Sequence, residues 1–341
     1  MTRFRYGAVV AGLAVLLLAA ATCAVALGSV AVPPGEVWRI LAHRVVPSLV
    51  DADWPRVRET IVMDVRMPRV LLGATVGAGL SVCGMALQAL VRNPLADPGL
   101  LGISSGAGVG AVLVVVCGVT VFGHYSVSAA AFLGGLAALL IVYALARAGG
   151  RMTTVRLILA GVATGQVLSA VASFLIVTSD QAQKAQSALQ WMLGGLGGTG
   201  WDALWLPAAV VLLGTVALLG TARHLNVLLA GDEAAAALGL NVGRFRALLF
   251  VLCALLTGVM VAVSGAIGFV GLMMPHITRL LVGANHRRAL PVAALLGAVF
   301  LIGADLLART VISPEEIPVG IVTALAGGPT FLWLMYRKGL A

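Results

Sequence analysis

Ten stretches of this chain are apolar for about twenty residues at a time, and polar, glycine- or proline-containing breaks separate them. Lipid offers no partner to a free N–H or C=O, so a run that crosses it must close its own hydrogen bonds as a helix. The stretches are 7–28, 70–91, 99–119, 126–147, 155–177, 203–222, 246–264, 268–283, 289–308 and 318–336. Only 10% of the 341 residues are charged, 60% are hydrophobic, and the mean hydropathy is +1.06. Soluble domains carry about 25% charged residues. The expected fold is therefore an all-α integral membrane domain, 1–341, with about ten transmembrane helices. The eighth stretch is short and contains glycine and proline, which predicts a tilted or broken helix.

The first stretch follows Arg3 and Arg5 and holds Ala24-Val25-Ala26, a tripeptide of the kind that signal peptidase cuts. Its apolar run is long for a signal sequence, so it reads as a retained helix. Cleavage there leaves nine spans.

Arginine and lysine placement sets the orientation. With the N-terminus inside, the inner segments carry Arg3, Arg5, Arg92, Arg147, Arg151, Arg156, Arg223, Arg244, Arg246, Arg279, Arg287, Arg288, Arg337 and Lys338. These are fourteen of the 22 basic residues. Both termini are expected in the cytoplasm, in a bacterial inner or plasma membrane. Six of the other eight crowd into 29–69, as Arg39, Arg44, Arg56, Arg58, Arg66 and Arg69, mixed with Glu36, Asp51, Asp53, Glu59 and Asp64. The net charge of +9 lies along membrane surfaces and forms no basic domain, so nucleic acid is not an expected partner.

Three segments lie outside the spans. Residues 29–69 form an external connection with a surface helix near Pro34 to His43. Residues 178–202 are polar and then glycine-rich, with five spans on either side, as in transporters built from two repeats of opposite topology. Residues 223–245 form the longest cytoplasmic segment, in which Asp232 to Leu238 predicts a short helix stopped by Gly239. Acids at its start complement the helix dipole, and glycine ends a helix readily. The most unusual break is Asn93 to Gly110, NPLADPGLLGISSGAGVG, set between apolar runs. Irregular backbone at membrane depth persists only at the surface, inside protein or along a water-filled path.

Catalytic and ion-carrying chemistry is scarce. There is no G-x-x-x-x-G-K-[ST] phosphate loop, and the two lysines, Lys184 and Lys338, lack its neighbours. No H-E-x-x-H occurs, the G-x-S-x-G letters at 102–106 form no strand-to-helix elbow in this apolar setting, and the five histidines are scattered. Ser81, Ser104, Ser105, Ser169 and Ser264 read as helix-packing residues. Cys23, Cys83, Cys117 and Cys253 lie in apolar runs and read the same way rather than as a disulfide or metal set. Intramembrane ionisable residues would mark an ion relay. The clearest are Asp305 and Arg309, four apart on one helix face, a structural pair or a docking point. Energy for transport must then come from outside the chain.

Four segments carry a resemblance: RMPRVLLGATVGAGLSVCGMALQALVRNPLADPGLLGISSGAGVG (66–110), SGAIGFVGLMMPHITRLLVGANHRRALP (264–291), LIGADLLART (301–310) and EIPVGIVTALAGGPTFLWLMYRKG (316–339). In this order they resemble the permeases of the iron-siderophore, haem and vitamin B12 class of ABC importers, which have the type II importer fold. The resemblance covers roughly 60–339, and residues 29–65 carry no match. It implies ten spans per subunit, a second permease copy or sister permease, ABC ATPase subunits inside and an extracytoplasmic substrate-binding protein outside. ATP and Mg belong to the ATPase; the chain binds no cofactor or metal and is not an enzyme.

The resemblance also implies residue roles. Arg66, Arg69 and Arg309 match outer arginines that dock carboxylates of the binding protein. Gly231, Asp232 and Glu233 through Leu238, Gly239 and Leu240 match the helix that couples to the ATPase. Asn93, Pro94, Leu95, Thr153 and Thr154 match the inner gate, and Gln166 is the most polar residue of the fifth span, which shapes the path. The expected function is ATP-driven import of a ferric siderophore, with haem or cobalamin as the alternative cargo. An ion-coupled carrier lacks intramembrane carboxylates, and an intramembrane enzyme lacks converging catalytic groups.

Overall fold

Each apolar run forms helix, and the described residues contain no strand. The structure, a computed structural model, describes residues 2–48, 50–148 and 154–338. In chain order the first helices are α1 (Arg3–Ala26), α2 (Pro34–Val45), α3 (Arg56–Thr60), α4 (Met67–Val91), α5 (Ile103–Cys117), α6 (Ser126–Arg147) and α7 (Thr154–Val177). Then come α8 (Ala182–Leu193), α9 (Trp205–Gly220), α10 (Ala222–Leu229) and α11 (Asp232–Ala237). Last are α12 (Val242–Ser264), α13 (Val270–Val282), α14 (His286–Thr310) and α15 (Val319–Lys338). Seven helical stretches among the described residues are long and apolar enough to cross a membrane, and α5, α13 and α15 are shorter apolar helices. In order, they take the places of the ten predicted spans.

Helix α4 lies at the centre, against α9, α12, α13 and α14. It is apolar all round, as a helix enclosed by protein must be. In lipid the hydrophobic effect does not draw helices together; close van der Waals contact does. Glycines supply that closeness. A Cβ on Gly77 would strike the backbone of Gly297 in α14, and one on Gly84 the backbone of Gly271 in α13. Helices α5 and α6 approach in the same way through Gly106 and Gly134.

Part of 29–69 is helical and continuous with the second span. Helix α3 continues through a π-helical turn, Ile61–Arg66, into α4, so one helical rod runs from Arg56 to Val91. Charges interrupted the apolar run here, but a helix needs satisfied backbone rather than apolar side chains. Two further helices, α8 and α10, form in segments outside the predicted spans, and the predicted helices at Pro34 and Asp232 form almost as expected.

The eighth span is broken. Helix α13 has 13 residues with Pro275 inside, a length of about 20 Å against a hydrocarbon core of about 30 Å. Before it, residues 265–269 leave the helical path, and Phe269 takes a left-handed backbone with φ 68°. A second irregular turn, 92–102, faces it. That turn meets the start of α13 where Pro98 packs on Gly271.

Candidate functional site

At one end of the helices, charged residues gather on α14 and the start of α4. Asp305, 2% exposed, accepts from Arg69 Nε at 2.9 Å and lies 3.1 Å from Arg309 Nε. Arg69 Nη1 also donates to Glu316 at 2.9 and 3.1 Å. Arg309 Nη2 donates to the Ala24 carbonyl at 2.9 Å, and Arg66 Nη1 to those of Val25 and Ala26 at 2.7 and 3.0 Å. Arg69 and Arg309 thus share Asp305, Arg69 also takes Glu316, and backbone carbonyls at the end of α1 accept from Arg66 and Arg309. Buried charge is tolerable only when paired and hydrogen-bonded in this way.

The three arginines expected to dock a binding protein are enclosed by the chain itself. Arg66, Arg69 and Arg309 are 5%, 8% and 7% exposed, and their donors are turned inward. The acceptors of Arg66 lie about forty positions earlier in the chain, where no local pattern announces them. Only Glu316, with 49% of its side chain exposed, opens the cluster to the outside. A cavity of about 420 Å³ adjoins it, lined by Arg69, Glu316, Ser187, Gln190, Trp191 and Ser264 among others.

At the other end, the turn after α4 is built from short side chain–backbone hydrogen bonds. Arg92 ends α4 in a left-handed conformation, φ 52°. Asn93 Oδ1 accepts from the Leu95 N–H at 2.9 Å, and Asp97 Oδ1 from the Gly99 N–H at 2.8 Å. Desolvation raises the Asp97 carboxyl to about 6, and the Gly99 hydrogen bond opposes that rise. Pro94 is exposed, Asn93 is half-buried and Leu95 stands at the boundary of exposure.

Gln88, on the last turn of α4, ties this turn to α13. Its amide nitrogen lies 3.3 Å from the carbonyls of Ala96, Gly271 and Leu272, and its oxygen accepts from Arg279 at 2.6 Å. One buried side chain therefore bridges the turn after α4 and the first turn of α13. Within an apolar run a single glutamine gives no sequence signal of such a role.

The expected gate residue Thr153 lies outside the described residues. Thr154 opens α7, and nothing is described of its side chain. Gln166 is exposed on α7. Nearby on the same helix, Ser169 donates to Ser105 of α5 at 3.2 Å.

The segment 223–245 is linked to the turn after α4. Gly231, with φ 112°, precedes α11, and Gly239, with φ 82°, follows it. Leu238 is 72% exposed, Glu233 is exposed, and Leu240 packs against the core. Asp232 Oδ1 accepts from Arg246 of α12 at 3.0 Å and lies 3.5 Å from Arg92. The first residue of α11 is thus paired with the residue that ends α4.

Comparison with known proteins agrees with this architecture. The model of the FecCD transport family matches residues 16–337. The chain is 46% identical over 282 residues to the cobalamin import system permease protein BtuC of Halobacterium salinarum, covering 82% of this chain and 74% of that one. It is 46% identical over 279 residues to the hemin transport system permease protein HmuU of Yersinia pestis, covering 81% and 83%. A solved transporter described as metal-chelate type, in an inward-facing conformation, superposes with a TM-score of 0.84 at 33% identity, covering 97% of this chain and 99% of that one. Matched over nearly its whole length, and helical throughout its described spans, the chain belongs to the FecCD transport family of ABC importer permeases.

Proposed function

We propose that the chain is the conduit of an importer for a metal chelate, driven by ATPase subunits on its cytoplasmic face and loaded by a binding protein outside. The observation that carries the drive is Asp232. It joins α11 to Arg92, one residue before the Asn93-Pro94-Leu95 turn. Displacement of α11 by an ATPase passes through that ion pair to the turn, and through Gln88 to α13. Alternating access follows if the two irregular segments move together. The chain breaks no covalent bond; ATP and Mg act in the partner.

Relatives named for cobalamin and hemin widen the cargo from a ferric siderophore to metal chelates generally. At the outer end, we assign contact with the binding protein to Arg69 alone among the three arginines. A partner carboxylate reaches it by replacing Glu316, while Arg66 and Arg309 hold α1 and α14 in place.

The test is reconstitution of the permease with its ATPase. Asp232→Asn and Arg92→Gln are expected to leave ATP hydrolysis in place and to lower chelate uptake at least tenfold. Uptake that stays coupled in both variants removes the assigned linkage.

A further inference from the structure

Between α5, α6 and α12 runs an apolar groove of about 500 Å³. Its floor is Ile103 against Gly135, where an added Cβ would lie 3.1 Å from Ile103. Its lips are open: Leu136 and Leu140 of α6 are 41% and 60% exposed, and Val251 and Leu255 of α12 are 62% and 43% exposed. One end is stopped by the Phe132 ring, which a Cβ on Gly258 would meet at 3.3 Å. Along α12 the lining runs from Ala247 to Gly258, a rise of about 16 Å. That is about one leaflet of a hydrocarbon core roughly 30 Å thick.

The open end has different chemistry. On α6 the lining positions 136, 140 and 143 continue, one helical turn on, to Arg147; on α12 positions 255, 251 and 247 continue to Arg244. Both arginines are exposed, and neither has an ion pair among the described residues. Arg147 Nη1 donates to the Tyr143 hydroxyl at 3.2 Å, and Tyr143 brings the one polar side chain to the lining. A slot of leaflet depth therefore ends at two guanidinium groups and a phenol. The complementary ligand is an amphiphile with an apolar tail and an anionic head.

We infer that this groove binds an anionic phospholipid, with an acyl chain along α6 and α12 and the headgroup phosphate on Arg147 and Arg244. By the arginine bias the lipid belongs to the cytoplasmic leaflet. Lysine or arginine at a membrane surface favours anionic over neutral headgroups about fivefold per residue.

The full chain, purified in mild detergent, is offered equal phosphatidylglycerol and phosphatidylcholine, and bound lipid is read by native mass spectrometry. Phosphatidylglycerol is expected to be retained preferentially, and Arg147→Gln and Arg244→Gln each to lower the preference about fivefold. The double lysine variant, which keeps both charges, is expected to retain it. Ala247→Trp, which fills the slot near its mouth, is expected to release the lipid. Equal retention of the two lipids by the native chain overturns the inference, as does a preference unchanged in the double glutamine variant. A disulfide between two copies carrying Leu140→Cys, formed in native membranes, also overturns it by placing a second copy on the slot.

Discussion

Asp305 shows how one residue can hold a buried ionic cluster together. Its carboxylate faces both Arg69 and Arg309, and removing one partner from a buried ion pair costs about 3–5 kcal/mol because the other charge is stranded. Asp305→Ala is therefore expected to lower the melting temperature of the solubilised chain sharply, with part of the loss recovered in Asp305→Glu. Glu316→Gln belongs to a different regime. Its side chain is half exposed, so the stability change is expected to stay below about 1 kcal/mol, while affinity for the binding protein rises as Arg69 is released. Asp97 adds a dependence on pH. Its carboxyl is raised from 3.8 to about 6, so the folded chain holds more protons than the unfolded chain between those values. Its contribution to stability therefore falls as pH rises through that window. Melting followed from pH 4 to pH 7 is expected to show this fall, and Asp97→Asn to reduce it.

At the scale of elements, contact between helices depends on α4 and its glycines. Gly77 and Gly297 bring the backbones of α4 and α14 together. Gly77→Leu forces them apart, and overpacking typically costs about 1–3 kcal/mol, or more where backbone must move. A lower melting temperature with unchanged helix content in circular dichroism is the expected outcome. The ten apolar helices were legible in the sequence because each apolar run continues long enough to need a span. Helix α3 was not, since Arg56, Arg58 and Glu59 break the apolar run without breaking the helix. Asp232 to Gly239 was legible because acids and glycine mark helix ends locally. The partners of Arg66, Arg69 and Gln88 were not, because they come from α1, α14, α13 and the loop before α15, which only tertiary packing brings near.

For the whole molecule, the described residues show an irregular turn meeting the start of α13 beside a central helix, a buried ionic cluster at one end and a short helix tied to that turn at the other. That arrangement suits a passive path moved from outside. The most direct measurement is chelate uptake into sealed proteoliposomes holding the permease alone or with its ATPase subunits, with the binding protein and chelate outside. Uptake is expected only when ATPase subunits and ATP are present inside. Accumulation by the permease alone, driven by an ion gradient without ATP, would contradict the account.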